Sequence, residues 1–88
     1  MQIGEREIYK AIVHLEAGDW RSAHEIVQAD EESTLARWAH GIAHLMEGDA
    51  GNARYWFSKA HRPFPGKASI EEEISALRAA ADLERTKR

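Results

Sequence analysis

The sequence predicts an all-α domain: two helical hairpins followed by one C-terminal helix. Three observations carry that reading. First, the stretch from Ala11 to Ala23 recurs from Gly41 to Ala53, with Ile12/Ile42, His14/His44, Leu15/Leu45, Gly18-Asp19/Gly48-Asp49 and Ala23/Ala53 in register. A repeat built around a helix break is the mark of stacked helical hairpins. Second, apolar residues recur at spacings of three and four, as on one face of a helix. Third, period-two alternation is absent and β-branched residues are few, so no strand pattern competes.

The first helix is expected over about 3–17, with Ile8, Ile12 and Leu15 on its apolar stripe. Gly18 ends it, because glycine takes the left-handed cap without strain. Asp19 then caps the second helix by accepting from exposed backbone N–H groups. That helix carries Trp20, Ala23, Ile26 and Val27 and ends near Asp30, which puts the first hairpin over about 3–30. Ser33 is expected to cap the third helix, which runs to Glu47 and carries Leu35, Trp38, Ile42 and Leu45. Gly48-Asp49 repeats the stop and restart. The fourth helix presents Ala53, Trp56, Phe57 and Ala60, so the second hairpin spans about 33–62. Pro63-Phe64-Pro65-Gly66 breaks the chain in a turn. Ser69-Ile70-Glu71-Glu72 forms a capping box that opens a fifth helix over about 69–86, with Ile70, Ile74, Leu77 and Ala81 on its stripe. Glutamates at its start and basic residues at its end both suit the helix dipole. Ala76, Ala79 and Ala80 permit close approach to a neighbour, and the helix is expected to pack on the second hairpin as a terminal cap.

The 88 residues form one domain, 1–88. A chain of this size buries only about 60–65 % of its unfolded surface, so its stability margin is thin. The absence of cysteine excludes disulfides and thiolate metal sites and makes a reducing cytoplasm the expected location. Residues 1–7 show no basic stretch leading into an apolar run, so no secretory signal is expected there. No apolar stretch approaches the roughly 20 residues that span a bilayer, and no membrane partner is expected. The net charge is −3 with both signs mixed, which argues against a nucleic-acid partner, since that needs a basic face. The run Arg85-Thr86-Lys87-Arg88 reads as favourable charge at a helix C-terminus.

The second repeat unit resembles a tetratricopeptide repeat. Gly48-Asp49, Ala53, Phe57, Ala60 and Pro65 fall at that family's spacing, and Gly41 matches the small residue of its first helix. In the first unit Gly18-Asp19-Trp20 and Ala23 fit, while Asp30 and Leu35 stand at the later Ala and Pro positions. The resemblance covers about 5–65 and implies a tetratricopeptide-like, right-handed α-α superhelix. It also implies a concave groove lined by Leu35, Trp38, Ile42, Leu45 and Met46. A second resemblance rests on Trp38-x-His40-Gly41-x-x-His44-x-x-Glu47-Gly48-Asp49-x-x-Asn52-Ala53-x-Tyr55-Trp56-Phe57. It is similar to a signature in small bacterial and plant proteins of uncharacterised function, and it brings no activity with it.

His40, His44 and Glu47 fall at i, i+4 and i+7, on one face of the third helix. Two imidazoles at that spacing can reach one divalent metal, and His14 is the repeat counterpart of His44. His24 and His61 can approach from elsewhere in the chain. In a tetratricopeptide repeat the positions matched by His40 and His44 pack on the partner helix. There the simplest histidine is a half-buried ring hydrogen-bonded to a carbonyl or carboxylate. Glu47 follows the histidines instead of lying between them, so no zincin signature is present. Ser22, Ser33, Ser58 and Ser69 lack the glycines of a nucleophile elbow, and no Gly-rich loop leads to a Lys-Ser or Lys-Thr pair. Trp20, Trp38, Tyr55, Trp56 and Phe57 sit at core spacing. Neither catalytic residues nor a cofactor is expected.

Two functions from different classes fit this pattern. The first is a protein–protein interaction module that takes a protein, a peptide or a second copy of the chain in the apolar groove, with Trp38, Ile42 and Met46 as anchors. The alternative is a small-ligand or metal-binding protein, with hydrolysis as one use, built on His40, His44 and Glu47 with His14 or His24. Any metal there would have nitrogen and oxygen ligands in a tetrahedral or octahedral arrangement. A third reading is a subunit of a larger assembly.

Overall fold

The computed structural model describes residues 2–65 and 69–87. Gly66, at the end of the Pro-rich break, and Arg88, at the end of the basic run, lie outside the described residues. Five helices follow one another: α1 (Glu5–Glu16), α2 (Trp20–Val27), α3 (Thr34–Glu47), α4 (Ala50–Lys59) and α5 (Ile70–Thr86). The described residues contain no strand.

The repeated Gly-Asp pair does the same work twice. Gly18 and Gly48 adopt φ of 80° and 89°, the left-handed region. The Gly18 N–H donates to the Leu15 carbonyl and the Asp19 N–H to the His14 carbonyl. Gly48 and Asp49 make the same bonds to Leu45 and His44. Each helix thus ends in a Schellman motif that satisfies its last carbonyls. The aspartates then turn to the next helix: Asp19 accepts from Ser22 N–H and Asp49 from Asn52 N–H, both at 3.1 Å. Ser69 caps α5, accepting from Glu71 and Glu72.

Ser33 departs from expectation. It occupies the N-cap position of α3 but makes no side-chain cap bond. Its hydroxyl donates instead to Asp30, whose side chain is fully buried. Asp30 also accepts from the N–H groups of Glu32 and Ser33 at 2.9 Å and of Ile3 at 3.0 Å. One carboxylate therefore folds the α2–α3 turn and ties down the segment before α1. Burial works against its charge, but the bonds from Ser33, Ile3 and Glu32 outweigh it and hold the pKa below the ordinary 3.8.

Helix α3 is the centre of the molecule and packs against each of the other four helices. Ala36, Trp38, Ala39, Ile42 and Ala43 bury its apolar side among Ile8, Ile12, Leu15, Ile74 and Leu77. Its closest neighbour is α4. A Cβ placed on Gly41 would lie 2.6 Å from Phe57 Cδ2 and 3.3 Å from the Phe57 backbone nitrogen. Glycine is thus required by contact, since its backbone conformation here is helical. The Phe57 ring is fully buried and meets Phe64 edge-on at 5.8 Å.

Helix α5 packs on the second hairpin as expected, but it packs on the first hairpin as well. It lies against α1 and α3, and among the described residues it makes no packing contact with α4. It reaches the second hairpin through α3 alone. The Trp38 indole N–H donates to Glu73 at 3.1 Å. Arg78 forms a two-pronged ion pair with Glu16 at 2.6 and 2.8 Å, and the Tyr9 hydroxyl donates to Asp82. Leu77 and Ile74 supply the apolar contact below these bonds.

Two substitutions test this packing. Gly41→Ala gains about 1 kcal/mol of helix propensity, yet the overlap with Phe57 forces the helices apart. A net loss of about 1–3 kcal/mol is expected in urea unfolding. Asp30→Ala strands buried N–H groups, and a loss of about 1–3 kcal/mol is expected at pH 7. Because the folded-state pKa is depressed, the wild-type advantage is complete well above pH 3.8 and shrinks as the pH falls through the folded-state value. Urea midpoints of both proteins across acid pH measure that convergence.

Candidate functional site

The histidines that the sequence places on one stripe of α3 meet a third from α2. His24, His40 and His44 each offer a ring nitrogen, and these atoms lie within 4.8 Å of one another. The ring centroids of His24 are 4.7 Å from those of His40 and 5.0 Å from those of His44, in both cases edge-on. His40 and His44 stack at 5.0 Å, as the i, i+4 spacing of a helix requires.

Each ring is held differently. His40 is 5 % exposed and lies flat against Trp56, with centroids 4.0 Å apart and planes at 12°. Trp56 neighbours Phe57 in α4, so the close contact at Gly41 also sets this stack. The His40 Nδ1 is buried and has no hydrogen-bond partner. His44 is oriented by Glu47, whose Oε1 is 2.5 Å from Nδ1. That bond places the proton on Nδ1 and leaves the Nε2 lone pair available as an acceptor or ligand. His24, on the short helix α2, is half-buried and keeps the greatest exposure of the three.

Electrostatics disfavour the charged form of two of the three rings, His40 and His24. Burial, reinforced by the nearby His24 and His44, pushes the His40 pKa down to about 3. The His24 pKa is also lowered, by burial first and by His44 second. Neutral imidazole is the form that binds metals.

The other candidates divide. Glu47 joins the site as the partner of His44, and it also forms a group with His44 and Asp49 within 4.8 Å. His14 does not join. It lies 3.7 Å from the Asp19 carboxylate, half-buried on α1. The site lies where α2 meets α3, and among the described residues α1 has no helix in the corresponding place. The counterparts of His40 and Trp56 in the first unit are Lys10 and Ile26, so the cluster is not repeated. His61 is exposed, just beyond α4, with a φ of 58°.

The residues expected to line an apolar groove are largely engaged within the chain. Ile42 is fully buried and Trp38 is 3 % exposed beneath Arg62 and beside Glu73. Leu35, Leu45 and Met46 are half-buried and pack on the core. Of the five, Met46 also faces an open cavity of about 480 Å³, shared with Trp20, Ile70 and Ile74, and Leu35 faces one of about 170 Å³, shared with Ile3, Ile8 and Tyr9. No helix of the described residues is long and apolar enough to cross a membrane.

His24 is the site residue whose part sequence reasoning left undefined. Periodicity groups side chains within one helix, and His24 enters from another. Comparison with family models, with curated proteins and with solved structures finds no match for this chain.

Proposed function

We propose that this chain binds a divalent transition-metal ion through His24, His40 and His44, with Glu47 orienting His44. The observation that carries the reading is the convergence of three imidazoles from two helices. Ligand nitrogens around a tetrahedral zinc ion are about 3.3 Å apart, given Zn–N bonds of about 2.0–2.1 Å. Nitrogens within 4.8 Å of one another lie near that spacing. The buried, unpartnered Nδ1 of His40 is a second support, because an orphaned polar atom in a packed interior needs an explanation. A carboxylate on the far nitrogen of a ligating histidine, as Glu47 is on His44, is a recurring feature of metal centres. Nitrogen-only ligation favours zinc, nickel, cobalt or copper over magnesium and calcium, which prefer oxygen.

The reading favours metal binding over a groove that takes a peptide, since Trp38 and Ile42 are buried inside the chain. Calorimetric titration of the purified, metal-stripped protein with zinc tests it. One zinc per chain is expected, with no heat from magnesium. His24→Ala, at a half-buried position, is expected to lose most of the affinity while its circular dichroism stays helical. Equal zinc binding by wild type and His24→Ala overturns the assignment. Glu47→Ala frees the His44 ring to turn, and a drop of about 10–100-fold in affinity is expected.

A further inference from the structure

Resting on that metal-binding reading, we infer that the bound ion keeps one coordination position open to solvent, for an exchangeable anionic ligand. The donor count points to this first. Among the described residues, no fourth histidine or carboxylate joins His24, His40 and His44 within the same mutual distance. Glu47, the carboxylate bonded to the cluster, is committed to Nδ1 of His44. A closed structural zinc site has four protein ligands, whereas three protein ligands leave a place for water or another small molecule.

Burial locates the open side. The Trp56 ring covers one face of His40, and His40 itself is 5 % exposed. His24 is the ring that retains access to solvent. The solvent-accessible side of the cluster is therefore its α2 side. Charge then selects the ligand. Imidazole ligands bring no negative charge to set against the two positive charges of the ion, and Glu47 acts only through His44. A small monodentate anion completes the coordination and offsets part of that charge. Water fills the position when no such anion is present.

Cobalt(II) in place of zinc, with azide as the probe anion, tests the inference by visible spectroscopy. Cobalt bound by wild type is expected to show the intense bands of a four-coordinate centre. Azide is expected to shift them saturably, with one azide per cobalt. His24→Ala is expected to lose the bands, which ties the spectrum to this site. Cobalt bands that azide leaves unchanged overturn the inference and leave metal binding intact. In that event Glu47→Ala identifies Glu47 as the closing ligand if azide then shifts the bands. Absence of cobalt binding overturns the underlying metal reading instead.

Discussion

The close approach of α3 and α4 at Gly41 is the constraint on which the rest of the structure depends. With a hydrogen at that position, the Phe57 ring and backbone come against α3 at distances no side chain allows. The neighbours of the two contact residues inherit the geometry. Trp56 is brought flat onto His40, and the His40 ring is fixed between that indole and the His24 edge. A fold requirement and a site requirement thus share one contact. Loosening α3 from α4 acts on the imidazole cluster without touching any histidine.

The second consequence concerns how α3 uses its two faces. Four neighbours surround it, so most of both faces is buried. One face is apolar and is covered by α1 and α5. The other carries His40, Gly41 and His44 and is covered by α2 and α4. In an open helical solenoid the first of these faces would line a groove. Here α5 folds back across it, joined by the Trp38–Glu73 bond, the Arg78–Glu16 ion pair and buried Leu77. A short chain with a thin core gains more from closing this face internally than from leaving it wet.

Much of the fold was legible in the sequence because its signals are local. Gly18-Asp19 and Gly48-Asp49 each encode a helix stop and a helix start within two residues, and both positions carry out that double role. Ser69 and the stripes of α1, α3 and α5 are equally local. The less legible features involve partners far apart in the chain. Asp30 resembles an ordinary turn residue until Ile3 and Ser33 are seen to converge on it. The Asp-x-x-Ser spacing was its only local signal, and that signal competed with a Ser33 cap. The placement of α5 depended on which neighbour its small face would meet, which composition does not encode. The histidine stripe was legible as a stripe. Its completion by His24, and the exclusion of His14, depended on which helix of the first hairpin lies against α3.

The chemistry follows from that arrangement. Three clustered imidazoles, an unpartnered buried nitrogen and a carboxylate behind His44 are costly to assemble for packing alone, since a leucine at position 40 would avoid the orphaned polar atom. The proposed metal centre is defined by the position of one ion. An anomalous difference map, collected at the zinc edge from crystals grown with equimolar zinc, locates it directly. The account predicts a single strong peak about 2.0–2.1 Å from a nitrogen of each of His24, His40 and His44. A peak on Glu47 and Asp49 without His24 and His40, or no peak in the presence of bound zinc elsewhere, would contradict it.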